Sequence, residues 1–353
     1  MKKLLITSTA LVASAGVAFA DGHTGLSVSG YAEMGISYVE DRGVNEDDEF
    51  LFHSDYDVFF KGSGETDGGI SFGFSIDLDE VNNGIGSRGS DGSVFISGNF
   101  GTLTLGDTDD AFDKALQEVG ALTALTDDHT THAGFSFNGG GNSAGLFAGL
   151  EGLTSGLGGL EEEFVLRYDY SFDALTLSLS IEQGTGFTGT TTFTILSTTF
   201  ATITSGEQID DTFSVGVSYD ADLGGFGVGL GLGYSDNSDL GTAYGASVAF
   251  EVDALEVVLN YTNTELDDDF GDVDWNHYGI GVTYTIDALS LHANYGVFDI
   301  DASGVDEITG FGLAANYDLG GGAVVMFGYG SSDFGDNAIE DTSTASFGLG
   351  LSF

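Results

Sequence analysis

The sequence predicts an all-β fold: a 16-stranded antiparallel transmembrane β-barrel with an inward-folded third long loop. Three observations predict it. Segments of alternating apolar and polar residues recur along the chain, short turns alternate with long acidic connections, and the last residue is aromatic. In the closing segment Phe347, Leu349, Leu351 and Phe353 share one face, and glycine or serine occupies each position between them. A period of two over about 10 residues suits a strand with lipid on one side and water on the other.

The N-terminal segment is typical of an export signal. Two lysines precede an apolar run that closes on Ala18-Phe19-Ala20, which matches an A-x-A cleavage pattern. We predict that residues 1–20 are a signal peptide and that residues 21–353 form the barrel. A transmembrane anchor is the alternative, but the run is short for a helical span and no stop-transfer charges flank it.

The composition limits the partners and the chemistry. Lys and Arg number 7 against 56 Asp and Glu, a formal charge of −49, so nucleic acid and anionic lipid are unsuitable partners. There is no cysteine for disulfides or thiolate metal sites, and no proline to interrupt central strands. Beyond the signal no apolar run approaches the ~18 residues of a helical span, so a membrane location depends on the strand pattern alone.

The first five predicted strands precede residue 107. The segment 26–38 alternates without a break, and the segments 55–61 and 70–78 are joined by Thr66-Asp67-Gly68-Gly69, which predicts a tight hairpin turn. The fourth and fifth segments, 93–100 and 102–106, meet near Gly101.

The remaining strands follow residue 163 and come in pairs with short turns. The pairs are 164–170 with 175–181, 213–219 with 226–234, 244–252 with 255–261, 278–286 with 289–297, and 311–317 with 323–329, before the closing strand. The total is about sixteen, an even number as barrel closure requires.

Aromatic and apolar residues support a membrane barrel. Tyrosines near the predicted strand ends are typical of interfacial girdles, although cross-strand pairs in a soluble sandwich are an alternative. They are Tyr38, Tyr168, Tyr170, Tyr219, Tyr234, Tyr261, Tyr284 and Tyr317. Six apolar residues fall on the inner face, where we expect them to pack under an inward loop: Phe59, Val165, Val258, Ala314, Val324 and Met326.

Long acidic connections lie at one rim of the predicted barrel. They include residues 40–49, 79–91, 265–274 and 332–341, and long loops of such barrels belong on the extracellular side. Their carboxylates could attract divalent cations that also bridge lipopolysaccharide. A solvated acidic surface is the equally weighted alternative.

The third long loop, residues 107–161, leads to a family resemblance. A structureless loop of this length is uncommon unless it is functional. The junction Gly98-Asn-Phe-Gly-Thr-Leu-Thr-Leu-Gly-Asp107, followed by an acidic, partly helical stretch, resembles the general bacterial porins, especially the alphaproteobacterial, Rhodobacter-type branch. The signal peptide, the strand count and the terminal Phe353 extend the resemblance.

The resemblance implies a Gram-negative outer-membrane homotrimer through which small hydrophilic solutes and ions diffuse, each barrel narrowed by its third loop. It implies that the constriction is lined by Asp107, Asp109, Asp110, Asp113, Glu118, Asp127 and Asp128. In the family, basic side chains face these acids. This chain offers only Arg42, Lys61, Arg88 and Arg167 for that role, which departs from the family and weakens the expected transverse field.

Strand phase gives an independent set of lumen residues. It places inward Asp55, Asp57, Lys61, Asp77, Arg167, Asp169, Glu182, Glu251, Glu256, His277 and His292. Acids outnumber bases, which favours a moderate cation preference. Many glycines and serines on the inner face leave little volume to fill a barrel, so we expect an open lumen.

Calcium is the one metal that the loop suggests. Asp107, Asp109, Asp113 and Glu118 fall at positions 1, 3, 7 and 12 of an EF-hand loop, but Phe112 occupies the position of the required turn glycine. The EF-hand is therefore rejected, and these carboxylates remain candidate calcium ligands in another geometry. No other cofactor is expected.

Other functions have less support in the sequence. His129 and His132 beside Asp127 and Asp128 suggest a ligand cluster, but such a pair in an acidic loop is more often solvated. No G-x-S-x-G nucleophile elbow in its strand-turn-helix context is present, so we predict no enzyme. A calcium β-roll would require a nonapeptide repeat that the chain lacks. A substrate-specific porin and a plugged or adhesive barrel remain as alternatives.

Overall fold

The computed structural model describes residues 24–40, 49–78, 92–125, 132–136, 157, 164–184, 191–195, 198–203, 209–267, 273–302, 305–335 and 340–353. The predicted signal peptide, Arg42, Arg88, Asp127, Asp128 and His129 lie outside these residues.

The described residues form eighteen strands and one short helix. The strands are β1 (Thr24–Val39), β2 (Glu49–Glu65), β3 (Ser71–Asp77), β4 (Gly92–Gly98), β5 (Gly101–Asp107), β6 (Phe164–Phe172), β7 (Leu175–Glu182), β8 (Thr191–Ile195), β9 (Thr198–Ile203), β10 (Thr212–Asp222), β11 (Gly227–Asn237), β12 (Gly241–Val252), β13 (Leu255–Leu266), β14 (Asp274–Ile286), β15 (Leu289–Asp301), β16 (Ile308–Gly320), β17 (Ala323–Asp333) and β18 (Thr342–Ser352). The helix α1 (Ala111–Ala115) follows β5.

Sixteen of the strands in the described ranges, β1–β7 and β10–β18, close into one antiparallel barrel. Closure joins β1 to β18 with Ile36 opposite Phe347, and the N–H of Phe353 donates to the carbonyl oxygen of Gly30 at 2.9 Å. The predicted fold class and strand number are confirmed. The remaining two strands, β8 and β9, pair only with each other in the connection between β7 and β10.

The hairpin turns at one rim explain part of the strand register. The turns Asp173-Ala174, Asp253-Ala254 and Asp287-Ala288 each place an aspartate at positive φ, between 51° and 54°. This left-handed conformation, which aspartate tolerates better than most residues, matches the twist of a tight two-residue hairpin. Three consecutive glycines, 320–322, serve the same purpose between β16 and β17.

The outer face is apolar along the whole barrel, as strand phase predicts. Its exposed residues include Val28, Phe74, Leu230, Leu259 and Leu313. Tyrosines of neighbouring strands form a row on this face, with the rings of Tyr261 and Tyr278 centred 5.2 Å apart. None of the helices in the described residues is long and apolar enough to cross a membrane.

The inner face carries a second apolar region, beneath the third long loop. Phe112 of α1 packs in one cluster with Trp275, Phe298 and Leu157, among others. Val258, predicted to lie under an inward loop, packs with Val119 and Phe135 of that loop. Of the other apolar residues predicted there, Val165, Ala314 and Met326 are buried as well. The loop is thus packed inside the barrel, as predicted.

Candidate functional site: the constriction loop and the pore wall

The first part of the third long loop follows the inner wall from β7 round to β1. The N–H of Ala111 donates to Ser180 Oγ on β7, and that of Gln117 donates to Ser247 Oγ on β12, both at 2.8 Å. Farther along, Asn316 Nδ2 on β16 donates to the carbonyl oxygen of Thr123 at 3.1 Å. The side chain of Leu125 ends the path against the glycines of β18 and β1. Residues 110–125 therefore narrow the lumen by lining the wall from β7, through strands of the series β10–β18, to β1.

Glycines on the inner wall make room for the loop backbone. A Cβ added at Gly216, Gly231, Gly281 or Gly296 would collide with a carbonyl oxygen of the loop, that of Ala111, Ala115, Val119 or Gly134 respectively. The small inner residues of β10–β16 thus make room for the loop, and an open lumen beside it stays a prediction. These glycines are functional residues that strand phase alone did not identify. Their concentration after residue 215, against the larger inner residues of β2, is the signal that could have identified them.

Asp110 holds the start of the loop against the wall. Its carboxylate accepts the N–H of Asp113 at 2.8 Å, which caps helix α1, and the hydroxyl of Ser214 on β10 at 2.6 Å. Burial raises the pKa of this carboxyl above its usual value. Sequence analysis placed Asp110 on the constriction, but the side chain is buried because the short helix needs a cap and β10 supplies a donor.

The remaining described acids of the loop lie close to one another. The carboxylate of Asp109 is half exposed. Burial, together with the neighbouring Asp109 and Glu118, raises the pKa of Asp113 well above its usual value. Asp107 ends β5 and is partly buried. No three His, Asp or Glu side chains of the described ranges are grouped so as to hold a metal ion, and calcium binding stays a prediction.

Arg167 anchors the loop instead of facing the pore. Its Nε donates to Asp169 Oδ2 at 3.0 Å, and its Nη1 donates to Thr108 Oγ1 at 3.0 Å and to the carbonyl oxygen of Asp109. Ser178 Oγ donates to the other oxygen of Asp169 at 2.7 Å. Because the guanidinium is buried in this network and paired with carboxylates, Arg167, which the sequence offered as a base of the constriction, holds the loop and presents little charge to the lumen.

The wall across the lumen from the loop is acidic. The inner face of β2 presents Asp55, Asp57 and the exposed Lys61, and β3 adds Asp77. On β1, the buried carboxylate of Glu33 lies 2.5 Å from His53 Nε2. Sequence reasoning found all of these except Glu33 and His53, which occupy the same alternation and could have been included.

The other predicted lumen residues divide by position. Glu251 and Glu256 stand opposite each other in neighbouring strands and are partly exposed on the inner face. Glu182, His277 and His292 point inward but are buried, and so is His132 of the loop. The expectation of a solvated His132 is therefore wrong, because the loop segment that carries it packs on β14, β15 and β17.

That segment, residues 132–136, is buried at every position. His132 Nε2 lies 2.6 Å from Asn294 Oδ1 on β15, and His277 Nε2 on β14 lies 3.0 Å from the carbonyl oxygen of Gly134. The N–H of Ala133 donates to Ser332 Oγ on β17 at 2.8 Å. Burial lowers the pKa of His132 to about 4.

The closed barrel accords with comparisons to known proteins. The family model of Gram-negative porins matches residues 7–337. This chain belongs to the Gram-negative porin family. A Rhodobacter capsulatus porin is 31% identical over 333 residues, covering 87% of this porin and 94% of that protein. A Fuscovulum blasticum porin is 25% identical over 319 residues, covering 90% and 97%.

Solved porin structures resemble the barrel as well. One porin structure, refined at 1.8 Å resolution, matches with a TM-score of 0.65 and 28% identity, covering 93% of this porin and all of that chain. A mutant of the Rh. blastica porin, at 20% identity and a TM-score of 0.59, shows the same fold. This porin is accordingly a general outer-membrane porin, and the resemblance to alphaproteobacterial porins is confirmed.

Proposed function

We propose that this porin forms a water-filled channel with a moderate preference for cations, through which small hydrophilic solutes diffuse. One observation carries the cation preference: the wall facing the loop presents Asp55, Asp57 and Asp77, and Arg167 is paired with carboxylates. Among the described residues, Lys61 and Lys114 are the basic side chains that remain exposed. Carboxylates around a narrow aqueous path raise the local concentration of cations and oppose anions.

The direct test is the reversal potential of single channels in a planar bilayer under a potassium chloride gradient. We expect stable conductance steps and a potential that favours potassium. The double variant Asp109→Asn with Asp113→Asn should lower that preference, whereas Asp253→Asn with Asp287→Asn removes the same charge from the hairpin turns as a control. An unchanged potential in the loop variant would exclude the loop carboxylates. No conductance from folded protein would favour the plugged or adhesive barrel.

We further propose that three copies associate, and the strand lengths support this. Strands β3, β4 and β5 have 7 residues each, whereas β14, β15 and β16 have 13. A tilted strand needs about 9–11 residues to span a bilayer. The short strands nevertheless expose Phe72, Val94 and Leu103 outward. A neighbouring barrel would cover this low apolar wall better than lipid.

Calcium remains a proposal for the outer loops and the start of the constriction loop. Asp109 and Glu118 both oppose ionisation of Asp113, and a divalent cation would relieve that repulsion. The test is the thermal stability of the oligomer with calcium chloride and with a chelator. We expect calcium to raise the melting temperature, and less so in Asp113→Asn. Equal melting temperatures with and without chelator would exclude a structural ion.

A further inference from the structure

The buried segment 132–136 fastens the second half of the constriction loop to the wall. It bonds to three strands: His132 to Asn294 on β15, Ala133 to Ser332 on β17, and the carbonyl of Gly134 to His277 on β14. Gly296 and Gly310 let the segment approach, since a Cβ at either position would collide with it. Each of these hydrogen bonds joins the segment to a side chain of the barrel. The inner wall is therefore shaped to bind residues 132–136.

The hydrogen bonds fix the tautomer of both histidines in their neutral form, and burial disfavours the charged form. Nε2 of His277 faces a carbonyl oxygen and Nε2 of His132 faces an amide oxygen, so each Nε2 must carry the proton. Each Nδ1 is then an acceptor, and both Nδ1 atoms are buried with no hydrogen-bond partner in the part of the chain that the structure describes. A second proton on either ring would create a buried N–H with no acceptor, together with a buried charge.

The surroundings offer no compensating charge among the described contacts. On β15, His292 bonds to Asn294 and to Thr283 of β14, which extends the network by a third histidine. The wall contributes the hydroxyl of Ser332 from β17 and a glycine from β16. Within the described ranges, burial lowers the pKa of His132, the hydrogen bond with Asn294 raises it, and no carboxylate acts on it. Protonated histidines would repel one another across Gly134.

We infer that residues 132–136 are an acid-released latch: protonation of His132 and His277 detaches this segment from the wall, and the detached segment obstructs the channel. This inference rests on the proposed function, because the latch would close a channel that is otherwise open. Proton linkage determines how docking of the segment depends on pH. A released histidine has its ordinary pKa near 6.5, whereas the docked His132 titrates at about 4. Docking is therefore strongest above about pH 6.5 and weakens as the pH falls toward about 4.

Two measurements on the full chain test the latch: single-channel conductance and tryptophan fluorescence. The fluorescence measurement does not require a conducting channel. Single-channel conductance in a planar bilayer should fall reversibly below about pH 5, a range set by the two pKa values above. Trp275 is the single tryptophan of the chain and packs in the same buried cluster as Ala133. Its emission should shift to the red over the same pH range, because release admits water beside the indole.

The decisive variant is His132→Gln with His277→Gln. Glutamine can donate an N–H to the same acceptors but takes up no proton at these pH values. We expect the variant to stay open and to keep its Trp275 emission in acid. The matched control, His23→Gln, removes a histidine near the start of the predicted mature chain and should behave as the parent protein.

A reversible tether keeps the test valid if those variants fold poorly. The chain has no cysteine, so Ala133→Cys with Ser332→Cys introduces the only pair. Oxidised, it should hold the channel open in acid, and reduction should restore closure. Acid closure and an emission shift that persist in the glutamine variant or in the oxidised tether overturn the latch, as does a parent protein whose emission ignores pH. Absent conductance with the predicted emission shift would overturn the channel function alone.

Discussion

At the scale of single residues, the loop depends on glycines that a side chain would displace. Strand β11 offers a matched pair, because Gly231 lies under the carbonyl oxygen of Ala115 whereas a Cβ at Gly227 would meet Glu251 at an ordinary 3.4 Å. We predict that Gly231→Ala destabilises the folded protein by roughly 1–3 kcal/mol, the usual cost of overpacking. Gly227→Ala should be neutral or stabilising by about 0.5–1 kcal/mol. Urea unfolding of both variants checks this, and equal midpoints would contradict the loop track.

Arg167 is the second residue on which the loop depends. Replacing it by methionine keeps most of its length but removes the donors to Thr108 and Asp109 and leaves Asp169 with an uncompensated charge. Breaking a buried pair in this way typically costs about 3–5 kcal/mol. We therefore expect Arg167→Met to lower stability and to increase open-channel current noise. Lys61→Met is the control for loss of an exposed positive charge, and similar noise in both variants would argue against an anchoring role.

At the scale of elements, the loop acids should make cation preference depend on pH. Because the pKa of Asp113 is raised, this carboxyl is neutral at acidic pH and ionises as the pH rises through its raised pKa. Cation preference should therefore increase with pH, and reversal potentials measured from acid to alkaline conditions check it. Asp113→Asn should remove the late part of the increase, whereas Asp109→Asn should lower the preference across the range. A flat profile in the parent protein would contradict this assignment.

An element could be predicted from the sequence where local periodicity determines it, and could not where contacts between distant residues do. Strands such as β11 and β15 are visible in sequence because lipid and lumen impose a strict period of two. The hairpin of β8 and β9 was missed, since threonine occupies most of its positions and obscures the alternation. The inward loop was expected from its length and family resemblance. Its path was not, because contacts such as Asp110 with Ser214 join residues far apart in the chain.

The difference between local periodicity and long-range packing also explains which predictions about site residues were correct. Strand phase correctly turns Arg167 and His277 inward, but whether an inward side chain meets water or the loop is decided by packing that the sequence does not display. The helix cap Asp110 and the loop anchor Arg167 were therefore predicted to be charged residues of the pore, although both are buried. Asp55 and Lys61 of β2 keep the inward alternation and remain at least partly exposed, so their role in an acidic pore wall stays a prediction.

At the scale of the whole molecule, the barrel has a low side and a tall side. At ~3.3 Å per residue and a tilt of ~45°, 7-residue strands such as β5 reach only ~16 Å across the membrane, against an apolar band of ~25 Å. Their outward residues include Ile96, which is as exposed as Leu313 on the 13-residue strand β16. In the proposed trimer, the apolar residues of the low side would contact a neighbouring subunit, whereas those of the tall side would contact lipid.

Arginine placed on each side distinguishes those meanings. On the tall side, Leu313→Arg should cost ~2–4 kcal/mol of barrel stability, as for charges facing the mid-bilayer, while the oligomer persists. On the low side, Ile96→Arg should separate the subunits, because the charge would be enclosed between apolar walls without a counter-ion. Native electrophoresis and light scattering in detergent measure the assembly, and thermal unfolding measures the barrel. Dissociation by Leu313→Arg with intact trimers in Ile96→Arg would move the subunit contact to the tall side, and the short strands would then have to be explained by a locally thinned bilayer.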